Sequence, residues 1–200
     1  MIPIPERMKA LPLDRRGYPV PVTVYTDADG DAHFSINVEH KRALCMRDDL
    51  CPICGGTLLR GRWFVGGPAS AFHERGAYVD PPMHDECAHY ALKVCPWLAA
   101  PNYARRIDDR GLKPSDKTRL ALTDPTTIPN RPIVFVAIMT VGQIINFEPN
   151  LYPTIIPKRP YRKIEYWKTG LMLDPTEGEL LAKAGVEEAM RIAESGVAGG

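Results

Sequence analysis

No stretch of the chain approaches the ~18–20 consecutive apolar residues of a membrane-spanning helix. The N-terminal sequence MIPIPERMKALPLDRRG also has no uninterrupted apolar segment of the kind a secretion signal carries. The expectation is a soluble, cytoplasmic protein with no membrane association. An excess of either charge is missing too: 25 Lys and Arg stand against 24 Asp and Glu, a formal net charge of +1. That excludes the global electrostatic footprint of a nucleic-acid coat or a membrane-surface protein, so any such binding must be local. Cysteines are few and odd in number, at five. Two of them form a Cys-x-x-Cys pair with no secretion signal ahead, which favours metal binding over a disulfide framework. No internal repeat is present.

Proline is over-supplied. Twenty prolines in 200 residues is twice the usual ~5%, and each fixes φ and removes an N–H donor, so short elements joined by stiff irregular segments are expected. The apolar and charged fractions, 44% and 24%, are ordinary for a globular protein, and the length suits one compact unit with appendages. Residues 1–17 read as an irregular arm. From 18 to 98 a hairpin precedes a metal-binding module: Val20, Val22, Val24 and Phe34, Ile36, Val38 alternate on either side of a Gly-containing turn at 26–31. The Asp-Ala-Asp-Gly-Asp run at 27–31 lacks the twelfth-position glutamate of a calcium loop, since Val38 stands there.

A helix is expected at 39–48, a strand within 57–65, another at 69–72 and a helix over 84–95. Residues 99–131 lack hydrophobic period and read as a long loop or linker. In the last segment, 132–195, the apolar run 133–141 reads as a buried strand with 144–147 as its hairpin partner, and 164–167 as a further strand. Thr176-x-x-Glu179 suggests a capping box, with Leu180, Leu181 and Ala184 as the apolar stripe behind it and Gly185 as a stop or kink. The class is α+β: an N-terminal β-hairpin, a zinc module, and a small antiparallel sheet with a C-terminal helix, packed on one core.

The chemistry concentrates in two short pairs. Cys51-x-x-Cys54 sits in a loop that Pro52 stiffens and whose knuckle turn Gly55-Gly56 permits. His84-x-x-Cys87 follows Pro81-Pro82 at a predicted helix start, where i and i+3 share a face and the free N–H groups stabilise a thiolate. Two x2 pairs in one chain give the four donors of one structural zinc ion: Cys51, Cys54, His84 and Cys87. Cys95 is eight residues beyond Cys87, ~12 Å along a helix and too far to share the ion. His89 points away, Cys45 reads as a buried small apolar residue, and His73 is the best substitute ligand.

The order of knuckle, β-hairpin and ligand-bearing helix resembles the treble-clef zinc finger over residues 51–97. More widely, CPICGG at 51–56, FVGGP at 64–68, DPPMHDECAHYA at 80–91, CPWL at 95–98 and EYWKTG at 165–170 are similar to an uncharacterised protein family of phages, prophages and their bacterial hosts. That resemblance implies a mobile-element origin and supplies no activity.

No catalytic residue is assigned. Four ligands close a zinc shell, and Asp85 and Glu86 are explained by the helix dipole. The motif of HNH-type treble-clef nucleases fails between Cys54 and His84, and the deaminase order His-x-Glu, Pro-Cys-x-x-Cys is absent. The alternative is a diverged metal-dependent nuclease using His73, Asp80 or Glu86. Gly66-Gly67-Pro68 lacks the context of a nucleotide-cofactor site.

The run from 158 to 168 is locally basic and aromatic. The preferred reading is a solvated strand with its aromatics turned inward; the competing one makes Lys158, Arg159, Tyr161, Arg162, Lys163 and Trp167 a candidate surface for nucleic acid or for a host or phage protein. The favoured function is a non-enzymatic interaction module. Trp63, Phe64 and Trp97 are expected in the core around the zinc helix.

Overall fold

The apolar run at 133–141 forms β5, Phe135–Thr140, in the computed structural model, which describes residues 2–100, 120–121, 131–146 and 153–197. β3, Arg62–Gly66, takes one edge of β5, and β8, Lys163–Lys168, takes the other, both antiparallel. The two-residue β9, Leu171–Met172, extends the sheet beyond β8. Side chains alternate across a sheet, so Phe135 and Ala137 enter one apolar cluster while Val136 and Ile138 enter another. Covering both faces is why this strand reads as an unbroken apolar run.

The first face carries the candidate metal module. Trp63, Phe135 and Trp167 pack there with Cys51, Cys87 and Leu92, the last two from helix α3, Asp85–Val94; α4, Pro96–Ala99, follows. The segment expected as an irregular arm, 1–17, touches this face: a 3-10 turn at Glu6–Met8 buries Met8 at 2% exposure, and Arg7 pairs with Glu86. Trp63 belongs to this face as expected and the half-buried Trp97 packs against it, but Phe64 faces the opposite cluster.

The second face is covered by α2, Pro68–Phe72, and by α5, Pro175–Val197. Residues 69–72 were expected as a strand, yet Pro68 at the first helical position presets φ and Ala71 is fully buried, so a short helix forms. The cap of α5 is Asp174, whose Oδ1 accepts the Thr176 N–H at 2.9 Å, rather than Thr176 itself; Pro175, lacking an N–H, fits only the first turn. Gly185 neither ends nor kinks the helix. A Cβ there would lie 2.8 Å from Pro68 Cγ, and one at Gly178 would lie 2.3 Å from Tyr166 Cβ, so both glycines permit close packing. The buried stripe is accordingly Gly178, Leu181 and Ala182, while Leu180 and Ala184 face solvent.

β1, Val24–Thr26, and β2, Ala32–Val38, make the expected hairpin. Asp27 Oδ1 accepts the N–H groups of Asp29 at 3.1 Å and Asp31 at 2.8 Å, so the acidic run is a turn. α1, Glu39–Arg47, follows. Its Arg42 is fully buried and donates to the carbonyls of Val79 at 2.5 Å and Pro153 at 3.1 Å while gripping Glu39. The strand expected within 57–65 begins only at Arg62. β6, Gln143–Asn146, pairs with β7, Thr154–Pro157, as a separate two-stranded sheet and not with β5, because β3 and β8 already occupy both edges of β5. Most of 99–131 lies outside the described residues. Within it, Leu120–Ala121 forms β4 and pairs with β2, and Arg131 donates to the carbonyls of Trp97 and Leu98, at 2.7 Å each. No helix among the described residues is long and apolar enough to cross a membrane.

Candidate metal centre

Cys51 and Cys54 stand on a knuckle whose backbone turns back on itself. The Gly55 N–H donates to the Cys51 carbonyl at 2.8 Å, and the Cys51 N–H to the Gly56 carbonyl at 2.9 Å. Gly55 adopts φ +73°, the left-handed conformation that only glycine takes without strain; Gly56 does not need it. The outer side of the knuckle is held by the chain entering β1, where Val22 N–H donates to Ile53 O at 3.0 Å and Thr23 Oγ1 to Pro52 O at 3.2 Å.

The second pair is delivered by β3 and α3. Trp63 and Met83 exchange backbone hydrogen bonds of 3.0 and 2.8 Å, which places His84 at the N-cap of α3 and Cys87 in its first turn. Between knuckle and α3 the expected hairpin is reduced to this single bridge and is interrupted by α2.

The donor atoms of Cys51, Cys54, His84 and Cys87 all lie within 4.8 Å of one another. Ligand atoms on a tetrahedron with ~2.3 Å metal–sulfur bonds are ~3.8 Å apart, and Cys54 Sγ to His84 Nδ1 is 3.4 Å. Cys51 and Cys87 are fully buried, and His84 is 3% exposed. His84 Nε2 lies 2.9 Å from the Thr57 carbonyl, so it carries the proton and leaves Nδ1 as the free donor, the outer hydrogen bond that orients a ligating imidazole.

Without a cation the three sulfurs compete for one negative charge. Hydrogen bonds from Cys51 and Cys87 hold the Cys54 thiol far below its ordinary range. Donation to Cys51 and Cys54 pushes Cys87 far above it. Three soft sulfurs and one imidazole at this spacing suit a metal ion of the zinc type, and among the described residues no other His, Cys, Asp or Glu group is clustered this way.

His73, the substitute ligand, is outside the cluster, and its Nδ1 accepts the Arg75 N–H at 3.2 Å. Cys45 is buried and its thiol is pushed up to about 11, chiefly by that burial. Asp80 accepts from Asn37 Nδ2 at 2.9 Å and Glu86 pairs with Arg7, so the acids considered for a nuclease are engaged elsewhere. Sequence reasoning missed the role of His89. Its Nε2 meets Glu165 Oε2 at 2.7 Å, with its ring against Trp63 and Trp167 at 4.7 and 5.7 Å, a polar tie between α3 and β8. The helical offset of His89 from Cys87 predicts that it faces away from the metal donors, but its partner lies 76 residues away.

The basic run divides. Trp167 is 4% exposed in the core, so it cannot stack on a partner. Arg159 donates to the carbonyls of Ala71 at 3.0 Å and His73 at 2.9 Å, and Tyr161 Oη donates to Ala71 at 2.8 Å; both are spent on the end of α2. Lys158, Arg162 and Lys163 remain exposed. Comparison of the chain with protein families, with characterised proteins and with solved structures finds no match.

Proposed function

We propose that the protein is a zinc-stabilised, non-enzymatic interaction module whose partner is a nucleic acid. The observation that carries the reading is the Cys3His donor set, whose atoms lie within 4.8 Å of one another, with Cys51, His84 and Cys87 buried and Cys54 half-buried against the first face. Four protein donors leave no open position for the water that a catalytic zinc activates, so the ion supplies folding free energy, ~10–16 kcal/mol for comparable sites. All five cysteines are free thiols, as metal binding by three of them requires.

Lys158, Arg162 and Lys163 supply the contact surface. Register sets Lys163 opposite Met139, the Arg162 N–H donates to the Met139 carbonyl at 2.7 Å, and the Lys158 N–H donates to the Gly142 carbonyl at 2.8 Å, so the three residues stand at the same end of the sheet. The test combines zinc stoichiometry by elemental analysis with fluorescence anisotropy on single- and double-stranded oligonucleotides across a salt series. One zinc per chain is expected, with salt-sensitive binding that weakens when the three residues become alanine. Turnover of the oligonucleotide at catalytic protein concentrations, or binding indifferent to salt and to the substitutions, would overturn it.

A further inference from the structure

Where β3 begins, β5 ends and the chain approaches β8, Arg62 stands opposite Thr140, and the Lys158 N–H donates to the Gly142 carbonyl at 2.8 Å. An open depression of about 510 Å³ lies there against the end of α1. Three cations from three separate segments line it, Arg47, Arg62 and Lys158, together with the carboxylate of Asp49.

Each retains unused donors. Arg47 spends Nε and Nη2 on Asp48, at 2.7 and 2.8 Å, leaving Nη1. Arg62 spends Nη1 and Nη2 on Asp49, at 2.5 and 2.8 Å. Its Nε is buried without a partner, and so is Oε1 of Gln143 in the same wall. A buried polar atom left in that state is destabilising, and a ligand that turns these side chains toward it removes that cost. No carboxylate among the described residues pairs with Lys158. Met46 and Ile145 add an apolar wall.

We propose that this depression binds a phosphate monoester. Its three terminal oxygens meet the spare N–H donors of Arg47, Arg62 and Lys158, a hydroxyl or amine of the attached group donates to Gln143, and the body of the ligand lies on Met46 and Ile145. A diester or a carboxylate offers only two such oxygens and a single charge, whereas a monoester carries close to two at neutral pH. The same chemistry reaches the depression as a free mononucleotide or as the 5′-phosphate end of a strand, and only the second source rests on the nucleic-acid reading.

The test is calorimetric titration of the full chain with inorganic phosphate, adenosine 5′-monophosphate and adenosine, alongside anisotropy with 5′-phosphorylated and 5′-hydroxyl oligothymidylate. Binding of the monophosphate but not of adenosine is expected, with phosphate as competitor. Lys158→Ala and Arg47→Ala should each weaken it by about tenfold or more. Both side chains are exposed, and circular dichroism checks that the variants fold; Arg62→Ala breaks an ion pair and is avoided. Tighter binding of the phosphorylated strand, equally sensitive to the two substitutions, assigns the strand end; binding of the mononucleotide alone assigns the free ligand. No response to monophosphate or phosphate at roughly 10 mM, together with equal affinity for both strands, overturns the site. Loss of all strand binding while the mononucleotide still binds overturns only the nucleic-acid reading.

Discussion

The metal cluster and the basic end of the sheet are both functional candidates, yet they are built in opposite ways. The four metal donors come as two pairs spaced three residues apart, each fixed by its own turn, a glycine knuckle for Cys51 and Cys54 and a helix start for His84 and Cys87. The cations at the sheet end come from α1, β3 and the approach to β8, and meet only because β3 and β8 flank β5. The first site is largely enclosed and the second exposed, and on the proposed reading the first supports the fold while the second depends on it. Removing one donor should therefore remove the protein, whereas removing one cation should leave the protein and change its binding.

The sharpest break in that comparison is Cys54→Ala or Cys87→Ala. A structural zinc contributes ~10–16 kcal/mol, as much as the whole stability of an ordinary domain, ~5–15 kcal/mol, so either variant should be insoluble or molten by near-UV circular dichroism. Native-like thermal unfolding of both would sink the structural role. Next in size is Arg42→Ala, which strands Glu39 and the half-buried carbonyls of Val79 and Pro153. It should cost about 3 kcal/mol in urea denaturation while zinc content stays at one per chain, separating damage to the hairpin side from damage to the metal.

Met8→Ala empties a buried position on the metal face and should cost about 2–4 kcal/mol; a change under ~0.5 kcal/mol, the surface range, would mean the N-terminal segment does not anchor there. A smaller effect is expected from Asp49. Its hydrogen bond with Arg62 holds the Asp49 carboxyl below its ordinary range, so the stabilisation is present above the unfolded carboxylate value near 3.9 and is lost as pH falls through the lower folded value. The carboxylate is 49% exposed, which limits the contribution to no more than about 1 kcal/mol. Asp49→Asn should therefore be slightly less stable than the parent at pH 6, with the gap closing in acid; a constant gap down to pH 2 would contradict the linkage. Smallest of all, Arg162→Ala with Lys163→Ala should shift stability by less than ~0.5 kcal/mol while flattening the salt dependence of oligonucleotide binding.

Legibility follows the same division. The hairpin was readable from its alternating apolar residues, the central strand from its unbroken apolar run, and α3 from the helix start after Pro81-Pro82. The metal donors were readable because x2 spacing is itself a geometric constraint. Residues 69–72 were misread because four small and aromatic residues carry no usable period, and Pro68 decided the matter. The partner of β6 was misread because edge occupancy is a property of the assembled sheet. Trp167 was named with a candidate surface because its neighbours in the run are cationic, yet its burial agrees with the preferred reading of a strand whose aromatics turn inward, and His89 with Glu165 left no mark in the sequence at all.

The central strand has neither a free face nor a free edge. Its pairing with β3 is non-local: joining Gly66 to Val136 closes a loop of about 70 residues, an entropic cost near ~4 kcal/mol. Until then the segment from Ile133 to Val141, with no charge and no proline, is an adhesive β-prone stretch of the sort that pairs with copies of itself. Its two ends are outside the core, Ile133 at 65% and Val141 at 46% exposure. Ile133→Lys and Val141→Lys should accordingly raise refolding yield at high protein concentration without lowering native stability, and an unchanged yield would locate the aggregation hazard elsewhere in the chain.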